Sequence, residues 1–212
     1  MKQRIMKMKK EWEDFFIKNK AKGNPEYFFS KIANQYSYPK RHYHTFEEHI
    51  FRCIEEFNSI RGLCENPDAV YYGILNHDAF SDTKRKDNEE KSAEFAYCLG
   101  REIGLPDRFL IKCAQIIMST SHRAPPADID EMLAADIDLS ILGQNPKIFN
   151  EYEKEIRKEY DWVPEEEFKR KRAAILKKFL ERETIYHTDV FRDKYEKQAR
   201  KNLEISINNL LI

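Results

Sequence analysis

Apolar positions along this chain recur at intervals of three and four, with no useful run that alternates every second residue, so the periodicity is helical nearly throughout. Phe46, Ile50, Cys53, Phe57 and Ile60 fall on one helical face, and Val70, Ile74, His77 and Asp78 continue another at i, i+4, i+7 and i+8. A third face runs through Ser92/Ala93, Ala96, Leu99 and Ile103 and extrapolates back to Glu89. Four helix starts follow from capping chemistry, because an oxygen-bearing side chain ahead of the first turn accepts from N–H groups that have no partner inside the helix. Thr45 with Glu48, Asp87 with Glu90, and Asp128 with Glu131 have the spacing of capping boxes, and Asn66 precedes Pro67 at a first helical position. Gly62, Gly104 with Pro106, and Gly143 with Pro146 mark ends. Beyond Pro164 the chain is highly charged, with apolar positions at Phe168, Ala174, Ile175, Phe179, Leu203, Ile207 and Leu210. That pattern predicts long helices, broken near Tyr186-His187-Thr188-Asp189. The expected fold is an all-α bundle forming one domain over residues 1–212, with a core over about 25–145 and C-terminal helices over about 146–212 packing on it.

With 41% hydrophobic and 13% aromatic residues in 212, the chain has ample material for a core. Its 37 basic and 37 acidic residues balance, so no global field draws it to nucleic acid or an anionic membrane, and neither partner is expected. The basic run Lys169-Arg170-Lys171-Arg172 follows Glu165-Glu166-Glu167 and reads as a solvated helix face. No apolar run reaches the roughly 18 residues of a membrane span, and the basic N-terminus lacks an apolar signal core, so a cytoplasmic location is expected. Cys53, Cys64, Cys98 and Cys113 show no C-x-x-C spacing and sit mostly among apolar neighbours, which predicts buried free thiols.

The helical faces direct several polar side chains inward. His49 lies one turn after Phe46 on the buried face; with Thr45 as cap, His44 and His49 occupy the two positions that usually form a hydrophobic staple. The His77-Asp78 pair lies on a buried stripe, where an isolated carboxylate would lose several kcal/mol of solvation unless a metal or a hydrogen-bond network compensates it. Glu89 faces inward near a helix N-terminus, where the helix dipole favours its anion. Asp136 and Asp138 stand in LAADIDLSILG, and periodicity does not choose between them. Each has a plainer reading: core histidines for His49 and His77, a dipole-satisfying group for Glu89, an acceptor behind a ligand histidine for Asp136 and a C-terminal dipole partner for His122. His42 and His187 read as surface or structural residues. His44-x-x-x-Glu48-His49 has neither zinc-protease spacing, which excludes that class.

His49, then His77-Asp78, then an aspartate some sixty residues on, in a helical chain, resembles the HD-domain superfamily of metal-dependent phosphohydrolases. A closer resemblance is to a bacterial subgroup of predicted HD phosphohydrolases of similar length. It rests on Tyr38-Pro39, Arg41-His42-Tyr43-His44, Glu48-His49-Ile50, the His-Asp pair, Asn88-Glu89 with Ser92-Ala93, and Asp136-Ile137-Asp138-Leu139-Ser140-Ile141-Leu142-Gly143. Ile156-Arg157-Lys158-Glu159-Tyr160 and Ala199-Arg200-Lys201-Asn202-Leu203 extend it. The chain departs from that subgroup at Asn76 and at Phe80-Ser81-Asp82, beside the ligands but not at them.

The resemblance implies that His49, His77, Asp78 and Asp138 bind a divalent ion. Nitrogen and oxygen donors without thiolate suit Mn, Ni, Co, Fe, Zn or Mg. It further implies a phosphohydrolase acting on a small phosphorylated metabolite or nucleotide, with Asp78 as proton acceptor and Glu89 orienting water or exchanging a proton. Arg41, His44, His122 and Asp136 are the expected substrate-binding groups, Arg41 because its planar fork fits two phosphoryl oxygens. The other class that fits the same residues is a sensor that holds metal and nucleotide without turnover.

Overall fold

A computed structural model describes residues 2–38 and 40–212, and among these the chain is all-helical, without strands. Pro39, part of the Tyr38-Pro39 signature, lies outside the described residues. The helices are α1 (Lys2–Lys18), α2 (Pro25–Gln35), α3 (Phe51–Ile60), α4 (Pro67–Asn76), α5 (Asn88–Glu102), α6 (Asp107–Ser119), α7 (Ile129–Leu139), α8 (Pro146–Glu159), α9 (Glu165–Leu180), α10 (Asp189–Phe191) and α11 (Lys197–Leu210). Residues 1–135 and 136–212 form two compact units, so the stretch from Asp136 to Asn145 groups with the C-terminal helices and not with the N-terminal core. No helix among the described residues is long and apolar enough to cross a membrane.

In the first unit α4 is enclosed on every side, since Ala69 through Asn76 are all buried. The single apolar stripe expected of α4 understates this, because a helix surrounded by neighbours has no wet face. Gly73 permits the approach of α6: a Cβ there would stand 2.6 Å from the Ile116 side chain. From α1, Trp12 and Phe15 stack on Tyr72, while the Trp12 indole donates to the Pro25 carbonyl at 2.7 Å. Burying each such ring contributes roughly 1.5–3 kcal/mol.

Most of the expected caps form. Thr45 Oγ1 accepts from Glu48 N, Asn66 Oδ1 from Ala69 N, and Asp128 Oδ1 from Glu131 N. The Asp87 box does not form: Asp87 pairs with Arg85, and Glu90 is taken by Arg123. A nearby guanidinium outcompetes the weaker backbone donors. Gly104, at φ +82°, closes α5 in the left-handed conformation glycine accepts readily. Cys53 and Cys113 are buried as expected, whereas Cys64 is half-buried and Cys98 exposed; all four are free. Cys98 sits on the outer face of α5, opposite Ala96 and Leu99.

In the second unit, the break near 186–189 is present, between the end of α9 and α10. Asn202 Nδ2 donates to the carbonyls of Leu142 and Gln144, and the Tyr186 hydroxyl donates to the Leu139 carbonyl.

Candidate metal centre

His49 enters from an irregular turn. Residues Phe46–Ile50 are π-helical, with the N–H groups of His49 and Ile50 both directed at the Thr45 carbonyl (3.2 and 3.3 Å). Such a widened turn often marks a functional position, and apolar periodicity gives no sign of it. The His44 and His49 rings lie 5.5 Å apart, so the staple of two imidazoles forms. His77 caps the C-terminal end of α4 and is buried, while the Asp78 side chain keeps 19% of its exposure. The centre is therefore shut on the histidine side and open at the carboxylate.

Three donor atoms converge there. His49 Nε2 lies 2.9 Å from His77 Nε2, and Asp78 Oδ2 lies 3.1 Å from the first and 3.3 Å from the second. Donors bound at right angles to one ion, each at about 2.1 Å, would stand about 3.0 Å apart, which is the spacing seen. A carbonyl only accepts, so the contact of His77 Nδ1 with Ile74 O at 2.8 Å puts a proton on Nδ1, and in the neutral ring Nε2 carries the lone pair. His49 Nδ1 meets the Tyr43 hydroxyl at 3.0 Å. Positive charge among the two Nε2 atoms and Oδ2, as protons on the imidazoles or as a bound cation, balances the carboxylate. Burial pushes the Asp78 carboxyl up, but the His77 charge and hydrogen bonds from His49 and His77 outweigh it and hold the group well below the ordinary carboxylate range.

His49, Cys53 and His77 also form a buried group that could hold a metal ion, with donor atoms within 4.8 Å of one another. Asp78 Oδ2, at 3.1 and 3.3 Å from the two Nε2 atoms, lies closer to them than Cys53 Sγ lies to either nitrogen of His49. Cys53 Sγ lies 3.7 Å from Nδ1 and 3.8 Å from Nε2 of His49, nearly equidistant, so it packs against the imidazole away from the Nε2 lone-pair axis.

Arg41 does reach the centre, yet its fork is on backbone: Nη1 donates to the carbonyls of His44 (3.1 Å) and Asp78 (2.6 Å), and Nη2 to that of Ala79 (2.8 Å). Glu89, in the first turn of α5, is partly buried and pairs with Arg123 at 2.9 Å. Its helix is tied to the loop after Asp78: Ser92 Oγ accepts from Phe80 N at 3.0 Å, and Asn88 exchanges two hydrogen bonds with Asp82. His122 follows α6 in the left-handed conformation, φ +54°, half-buried, with its N–H on the Ser119 carbonyl.

Asp136 and Asp138 belong to the second unit. Asp136 is fully buried; Oδ1 accepts from His187 N (2.7 Å), and Oδ2 from Thr188 N (2.8 Å) and Thr188 Oγ1 (2.6 Å). Burial raises its pKa against the opposing pull of those donors. Asp138 is half-buried and acts electrostatically on Tyr152.

Sequence reasoning missed Tyr43 and Arg123. Tyr43 precedes the helix that bears His49, where periodicity has no reach, and Arg123 meets Glu89 across 34 residues of chain. Compared with known proteins, the chain matches no family model, no curated protein and no solved structure.

Proposed function

We propose that this protein is a metal-dependent phosphohydrolase of the HD type, acting on a small phosphorylated metabolite or a nucleotide. The observation that carries the reading is the convergence of His49 Nε2, His77 Nε2 and Asp78 Oδ2 at 2.9–3.3 Å, open at the carboxylate. A divalent ion held there supplies Lewis acidity toward water and toward a phosphoryl group. The chain's own residues supply the rest. Tyr43 and the Ile74 carbonyl orient the two imidazoles, and Asp78 Oδ1 remains as a proton acceptor on the open side. In this reading His44, half-buried beside His49, donates to a phosphoryl oxygen. Glu89 stands on a helix anchored to the loop that follows Asp78, a position suited to orienting water or exchanging a proton.

The resemblance also names Asp138 as a metal ligand. Asp138→Asn should then weaken metal binding severely, by more than the roughly 10–100-fold cost typical of altering a residue behind a ligand. Metal titration that gives wild-type affinity for this variant removes it from the set.

The experiment for function is a screen of phosphorylated metabolites and nucleotides with metal-reconstituted protein. Metal-dependent phosphate release supports the enzyme. Ligand-induced thermal stabilisation without turnover supports a metal- and nucleotide-binding sensor instead.

A further inference from the structure

We propose that Arg41 is a positioning residue that sets the spacing of the metal donors by clamping together the two chain segments that bear them. This inference rests on the metal-centre reading above. His49 and His77-Asp78 are 28 residues apart in sequence, yet their donor atoms must hold a separation near 3 Å to share one ion. A departure of about 0.5 Å is enough to degrade such a constellation, so something must fix one segment against the other. Arg41 Nη1 bonds both sides at once, to the His44 carbonyl just before the Thr45 cap and to the Asp78 carbonyl itself, while Nη2 adds that of Ala79. Those last two carbonyls emerge beyond the end of α4, where the helix supplies no internal donors.

Tyr36 reinforces the clamp from the same side. Its ring lies under the guanidinium at 5.1 Å, and its hydroxyl donates to the Leu75 carbonyl at 3.0 Å. A planar fork with several fixed donors reaches carbonyls on two segments simultaneously. An ammonium is a point charge and does not reproduce that geometry, so charge alone is insufficient.

The test is Co²⁺ binding by full-length wild type, Arg41→Lys and Arg41→Met, read by titration and by the visible absorption of the bound ion, with circular dichroism and melting of the metal-free proteins alongside. Lysine keeps the charge, and methionine keeps most of the stem. The expected result is folded variants whose Co²⁺ affinity falls about 10-fold for lysine and up to about 100-fold for methionine, with altered absorption. A residue that only stabilised the fold would lower the melting temperature and leave both Co²⁺ readouts unchanged. Affinities within about threefold of wild type with the same spectrum overturn the proposal, and so does failure of both variants to fold, which would make Arg41 part of the core. Absence of Co²⁺ binding by wild type would instead defeat the metal-centre reading and this inference with it.

Discussion

Asp78 and Asp136 are both carboxylates on helical segments that face inward, and the two units of the chain compensate them in opposite ways. In the second unit Asp136 is sealed: two backbone N–H groups and a hydroxyl from His187 and Thr188 occupy its oxygens, and no exposure remains. In the first unit Asp78 Oδ2 meets two imidazole nitrogens instead, and its side chain stays partly open. A carboxylate surrounded by donors is a structural tie. One that meets two imidazole Nε2 atoms is balanced by positive charge among them, as protons on the rings or as a bound cation. Burial alone therefore does not distinguish a ligand from a strut; the polarity of the neighbouring atoms does.

Removing each group in turn probes that contrast, and the largest effect is expected at the open site. Purified protein should contain or take up about one divalent ion per chain, and His77→Ala or Asp78→Ala should each abolish stoichiometric binding. Elemental analysis that finds unchanged occupancy in both variants would break the comparison at its first term. At the sealed site, Asp136→Ala strands three buried donors and should cost roughly 3 kcal/mol or more in unfolding free energy, with metal content per folded chain unchanged. Should denaturant titration show less than about 1 kcal/mol, Asp136 is not the tie described.

Much of this contrast was readable in the residues, and the part that was not has a physical cause. The burial of His49, His77 and at least one of Asp136 and Asp138 follows from the 3.6-residue period, because that period reports which way a side chain points. It says nothing about what a side chain meets. Arg41 carries the same charge whether it faces a phosphate or three carbonyls, and only the fold brings the Asp78 and Ala79 carbonyls to it. Periodicity does not separate Asp136 from Asp138 because residues 133–135, 137 and 139 are all buried around them, and the Thr188 hydroxyl that meets Asp136 lies some fifty residues later. The π-turn at Phe46–Ile50 was missed for a similar reason: a widened turn leaves the Thr45 cap and the apolar face intact.

A smaller effect sharpens the first unit further. Glu89→Gln preserves shape and should keep the metal and the fold while lowering turnover on an identified substrate by about 100-fold, the usual scale for losing a general acid–base group. Turnover within about threefold of wild type would reduce Glu89 to the Arg123 ion pair in which it already stands.

The donor set itself is the central claim, and X-ray absorption at the edge of bound Co²⁺ or Zn²⁺ reads it most directly. The account predicts a first shell of nitrogen and oxygen only, at about 2.0–2.2 Å, with the outer-shell scattering of two imidazoles. A sulfur scatterer at about 2.3 Å would contradict it, replacing Asp78 with Cys53 as the third ligand.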